Sequence, residues 1–188
     1  MSDQPNGFWL KAVSLILRFC LFLQMIKKLF GLLLLASLQL KGFTQPIPRM
    51  KIGEVVNYFN KQDDTVYVVN FWATFCKPCV GEIPYFIRIC NKYKDQKVKL
   101  LLVSLDLPDY YPAKIRAFVK KNKYHTNIAW LNETDADIFC PMIDKKWSGS
   151  IPATLILNYR NGFRKFVEDD IKATVFEDLI KQAIGKKE

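Results

Sequence analysis

The sequence predicts an α/β fold, a mixed central sheet flanked by helices on both faces. Three observations carry that expectation. Two apolar runs, 65–72, rich in β-branched residues, and 98–106, are each followed by a segment of helical periodicity, the pattern of parallel strands joined by crossover helices. Near the C-terminus, 153–159 and 162–167 flank Arg160-Asn161-Gly162, and Asn-Gly is a strong signal for an antiparallel hairpin. The order from the first strand onward, β-α-β-α-(β-α)-β-β-α, then gives one layered domain.

Each element has its own reason. After a proline-containing connector, Ile47 to Met50, apolar residues 52, 55, 56 and 59 have helical spacing, and Asp63-Asp64 closes that segment. A helix over about 76–94 contains Pro84, which is expected to bend it, at about 3 kcal/mol if nothing compensates. The run 98–106 is apolar enough for a central parallel strand. Pro112 suits the first turn of a helix reaching about Asn122. Residues 127–131 fit a short strand, and 133–147 a helix interrupted near Pro141. A last amphipathic helix, 174–184, is expected to turn Val175, Leu179 and Ile180 inward.

The chemistry is concentrated in Asn70-Phe71-Trp72-Ala73-Thr74-Phe75-Cys76-Lys77-Pro78-Cys79-Val80-Gly81-Glu82-Ile83-Pro84, which joins the first strand to its helix. That order puts Cys76 at a helix N-terminus, where unpaired N–H groups and the helix dipole favour negative charge. The thiolate is the reactive form of cysteine, so Cys76 is the expected nucleophile. Cys79, about one turn later, can close a disulfide and release whatever Cys76 has attacked. Pro78 is accommodated because the first helical turn has no use for its N–H. Zinc is the competing use of such a pair, but it needs about four ligands, and Cys20, Cys90, Cys140 and His125 stand isolated, so no metal is expected. Lys77 lies beside Cys76, where its charge favours the thiolate by at most about 1 kcal/mol after solvent screening. Trp72 and Phe75 are candidates for an apolar lip around the disulfide; a core position is the competing assignment for Trp72.

The segment from Phe71 to Cys79 resembles the active site of the thioredoxin superfamily. With Asn70 before it and Glu82-Ile83-Pro84 after it, it resembles the TlpA/ResA-like branch of extracytoplasmic thiol-disulfide oxidoreductases, over about residue 50 to the C-terminus. The resemblance implies a thioredoxin-like fold and a redox-active disulfide Cys76–Cys79 as the only cofactor. It also implies that Ile151-Pro152 is a cis-proline loop facing the cysteines, whose backbone binds an extended substrate. Ala153 departs from the threonine many relatives have. Asn70 stands where cytosolic relatives have a buried Asp, so that proton relay is absent. Spacing leaves two readings of Glu82 open: a surface group complementing the helix dipole, or a buried carboxylate that exchanges a proton with Cys79. The resemblance favours the second.

The 188 residues carry a formal charge of +10. Residues 1–44 hold five bases and one acid, so the remainder has 23 basic and 17 acidic residues, a net +6. The bases are scattered, unlike the clustered face of a nucleic-acid binder. Met25-Ile26-Lys27-Lys28 and the apolar run 29–40 have the design of a signal peptide, too short for a comfortable membrane span. Residues 1–24 are either a second membrane-inserting or interfacial segment or lie before the true start at Met25; the completeness of the signal from Met25 favours the latter. The expected organisation is a leader over 1–44, cleaved or retained as an anchor, and a thioredoxin-like domain over 46–188 outside the cytoplasm, secreted, periplasmic or tethered to the inner membrane.

The expected partners are protein thiols and disulfides and a membrane-bound electron donor, with no nucleic acid. Two other functions stand beside the oxidoreductase. A thiol peroxidase would share the activated cysteine, but peroxiredoxins place Thr or Ser three residues before it, where this chain has Ala73. A non-catalytic binding module would use the disulfide only as a staple. Cys90 and Cys140 are expected to be buried structural thiols, with a bridge between them a minor alternative.

Overall fold

The computed structural model describes residue 18, residues 21–30 and residues 46–185. The chain divides into two compact units, Met1–Gln45 and Pro46–Glu188. In the first, residues 21–30 are helical with exposed apolar side chains; the rest of the expected signal sequence lies outside the described residues. Among the described residues no helix is long and apolar enough to cross a membrane.

In the second unit the chain runs β1 (Arg49–Met50), α1 (Ile52–Phe59), β2 (Val66–Trp72), α2 (Lys77–Lys92), β3 (Val98–Ser104), α3 (Ala113–Lys121), β4 (Asn127–Leu131), α4 (Ala136–Ile143), β5 (Ala153–Asn158), β6 (Phe163–Val167) and α5 (Ala173–Ile184). The six strands form one sheet in the order β1-β4-β3-β2-β5-β6. β1, β4, β3 and β2 are mutually parallel neighbours, while β5 runs antiparallel to β2 and β6 antiparallel to β5. The mixed sheet read from the sequence is therefore present. The supposed connector before α1 contributes β1, whose two residues pair with Trp130 and Leu131 of β4; so short a strand leaves no periodicity to read.

β2 lies at the centre and all seven of its residues are buried. Period-2 alternation splits them between two cores. Val66, Val68 and Trp72 face Ile83 and Phe86 of α2, Ile115 of α3 and Phe176 and Ile180 of α5. Tyr67, Val69 and Phe71 face Val55 and Phe59 of α1 and Phe139 and Ile143 of α4. Cys90 belongs to the first core and Cys140 to the second. They are free, buried thiols on opposite faces of the sheet, which rules out a bridge between them.

Two other sequence expectations are corrected. α5 buries Phe176, Ile180 and Ala183, while Val175 is 51% exposed. Phe176 stacks on Phe86 of α2 at 3.8 Å between ring centroids, and the largest side chain sets which face turns inward. α4 is shorter than the expected 133–147: Asp135 caps it by accepting from Asp137 N, and Trp147 lies outside it, packed on Phe71 at 4.6 Å between centroids.

Candidate active site

The end of β2 delivers the chain to α2 in four residues. Cys76 is the N-cap of α2, in extended conformation at φ −82° and ψ 98°, and Pro78 occupies the first turn. Cys76 and Cys79 are joined in a disulfide with Cα atoms 5.3 Å apart. The Cys79 backbone N–H donates to Cys76 Sγ at 3.3 Å, so a free N–H of the first turn is aimed at the sulfur that would carry negative charge. Cys76 is 8% exposed and Cys79 fully buried, so an incoming molecule meets Cys76 first.

Asp106, just beyond β3, holds the turn before Cys76. Its buried carboxylate accepts from Thr74 N at 3.1 Å, Thr74 Oγ1 at 2.5 Å and Ser104 Oγ at 2.7 Å. Its backbone oxygen accepts from Trp130 Nε1 at 2.7 Å. Sequence reading missed Asp106, because a single acid after a strand has no signature until the fold sets it beneath Thr74.

Ile151-Pro152 carries a cis peptide bond, as the resemblance implied, and the Ile151 carbonyl oxygen lies 3.8 Å from Cys76 Sγ. Phe75 is 66% exposed and Leu107, which follows Asp106, is 61% exposed, while Lys77 is also open to solvent. Trp72 is not part of that surface. It is fully buried among Phe118 and Tyr124, with ring centroids 5.9 and 6.0 Å away, because strand alternation turns it into the core beneath α3. Its indole N–H finds no partner among the described residues.

Glu82 is buried, one turn on from Cys79. Its Oε1 accepts from Asn70 Nδ2 at 2.8 Å and its Oε2 from the Ile171 backbone N–H at 3.1 Å. Burial raises its carboxyl to about 7; these two hydrogen bonds oppose the rise, and the charges of Asp170 and Asp169 add to it. Asn70 also donates to Thr154 Oγ1 at 3.0 Å across the β2–β5 ladder. The Asn70 amide thus clamps Glu82 against β5. Among the described residues no group of His, Cys, Asp and Glu could hold a metal ion.

The AhpC/TSA family model matches residues 40–164, about two thirds of the chain. The chain belongs to the AhpC/TSA family. Among this family member's curated relatives is the thiol-disulfide oxidoreductase ResA of Oceanobacillus iheyensis, 46% identical over 39 residues, 21% of this chain and 20% of that protein. ResA of Bacillus subtilis is 24% identical over 112 residues, 60% of this chain and 58% of that protein. The matched stretches thus span from a fifth to under three fifths of these relatives. A thioredoxin-related protein from Neisseria meningitidis serogroup B superimposes with a TM-score of 0.56 at 24% identity, covering 66% of this chain and 88% of that one. A thiol:disulfide interchange protein from Chlorobium tepidum TLS gives 0.54 at 18%, covering 66% and 83%. The fold of this AhpC/TSA member is thioredoxin-like.

Proposed function

We propose that the protein is a thiol-disulfide oxidoreductase that reduces disulfides of protein substrates through Cys76 and Cys79. The observation that carries this is the Cys76–Cys79 disulfide at the start of α2, with its more accessible sulfur facing the Ile151 carbonyl. An electron donor first reduces the pair. The Cys76 thiolate, favoured by the Cys79 N–H and the helix dipole, then attacks a substrate disulfide. One substrate sulfur bonds to Cys76 and the other departs as a thiolate. Cys79 next attacks Cys76 Sγ, the substrate's remaining sulfur leaves, and the intramolecular disulfide re-forms.

Glu82 serves Cys79. A carboxyl titrating near 7 is divided between its two forms at neutral pH, so it can take the Cys79 proton during resolution and return it on reduction. Ile151 and Pro152 bind substrate through backbone groups, Phe75 and Leu107 offer apolar contact, and Lys77 adds positive charge beside Cys76. Ala73, three residues before Cys76, supplies no hydroxyl to orient a peroxide, which argues against a peroxidase.

The working site is outside the cytoplasm, where such a pair needs a dedicated donor, taken to be membrane-bound. The basic start Met25-Ile26-Lys27-Lys28 and the apolar run 29–40 support this, read as a cleaved signal or as an anchor. Trapping tests the assignment: Cys79→Ser should accumulate substrate-linked adducts on non-reducing gels, and Cys76→Ser none. Equal trapping by the two variants would reject it.

A further inference from the structure

The segment leaving β6 touches both halves of the site. The Glu168 carboxylate lies under the loop that precedes the cis-proline. Its Oε1 accepts from Ser148 N at 3.0 Å, from Ser150 N at 3.0 Å and from Ser148 Oγ, and its Oε2 accepts from Ser148 N at 3.1 Å. Trp147 Nε1 donates to the Ser150 carbonyl oxygen at 2.9 Å. Ser150 is bonded directly to Ile151, whose carbonyl faces Cys76. Three residues beyond Glu168, the Ile171 N–H holds Glu82, and the Ile171 carbonyl accepts from Tyr85 Oη of α2 at 2.6 Å.

Desolvation alone would raise the Glu168 carboxyl, but the hydrogen bonds from Ser148 and Ser150 outweigh it and hold the group below its ordinary value. It is therefore ionised at neutral pH, and charge-assisted bonds are the strong kind. A loop without such an anchor would have to be ordered by the substrate, at the expense of binding free energy.

We propose that Glu168 is a positioning residue for substrate: by gathering the donors of Ser148 and Ser150, it fixes the loop that presents the Ile151 carbonyl to an extended peptide disulfide docked at Cys76. This rests on the thiol-disulfide reading above. Glu168 touches no reacting atom. It acts through the loop, so its removal weakens the binding of a peptide more than it slows exchange with a molecule too small to span the loop.

The test mixes the pre-reduced full-length protein with either a short extended peptide disulfide or hydroxyethyl disulfide and follows single-turnover oxidation. In Glu168→Gln the ratio of second-order rate constants, peptide over small disulfide, should fall about tenfold, the value of one charge-assisted hydrogen bond. The loss should appear in the peptide concentration needed for half-maximal rate rather than in the maximal rate. Glu168→Asp, which keeps the charge, should recover part of the ratio. Amide exchange at Ser148 and Ser150 should accelerate in Glu168→Gln, a readout independent of activity. An unchanged ratio, or unchanged exchange at both serines, overturns the proposal while leaving the oxidoreductase intact. A wild-type protein that oxidises with neither disulfide instead rejects the oxidoreductase reading itself.

Discussion

Glu82 shows how burial converts an ordinary residue into a pH-responsive one. Its carboxyl is raised from 4.5 to about 7, chiefly by desolvation. A carboxyl whose folded-state value is raised binds its proton more tightly in the native state than in the unfolded chain. Stability therefore falls as pH rises from about 4.5 to about 7 and levels off above that. At about 1.4 kcal/mol for each tenfold, the full window is worth about 3 kcal/mol. Urea unfolding across that range should show this slope in the wild type and lose most of it in Glu82→Gln, which has no proton to exchange. The single-turnover rate of disulfide closure should rise through an apparent pKa near 7 in the wild type and lose that inflection in the same variant. Asn70 explains why the carboxylate is tolerated. Its two amide hydrogens bond Glu82 and Thr154, so it supplies polarity in a buried strand without a second charge.

Among the elements, the turn from β2 to α2 is held from outside. Asp106 lies beyond β3, yet three of its hydrogen bonds end on Thr74 and Ser104, and Thr74 is two residues before Cys76. Replacing it with alanine leaves the Thr74 N–H and two hydroxyls without their acceptor. Asp106→Ala should cost about 3 kcal/mol in denaturant unfolding and accelerate amide exchange at Thr74. The β5 approach is fixed in a similar way, with Trp147 and Glu168 both hydrogen-bonded to the Ser148–Ser150 turn. Each loop of the site is thus fastened by a carboxylate distant in sequence, Asp106 for one and Glu168 for the other, with Trp147 a local addition to the second.

At the scale of the whole second unit, the sheet separates two cores, and α2 packs against α5 in one of them. Phe86 and Phe176 are fully buried and stacked at an interplanar angle of 11°. Phe86→Ala should destabilise by about 4 kcal/mol and lower the melting temperature by about 10 °C. The same burial silences Cys90 and Cys140. Desolvation raises Cys90 to about 12 and, with the charges of Glu168 and Asp137 adding to it, Cys140 to about 11. Alkylation of the oxidised native protein, mapped by mass spectrometry, should leave both unmodified, with labelling appearing only on unfolding.

The β2–α2 motif, the parallel strand β3 and the hairpin were legible because periodicity and spacing are local properties of the chain. The spacing of Cys76, Cys79 and Glu82 determined, without coordinates, which groups lie within about one helical turn of each other. What lies across the fold was not legible. That Trp72 is core rather than lip, that Val175 faces solvent, and that Cys90 and Cys140 sit on opposite faces of the sheet were decided by packing. The anchors Asp106, Asn70 and Glu168 were likewise set by tertiary contacts, because a hydrogen bond between residues tens of positions apart depends on where the sheet order brings them, and that order is not written in any local window.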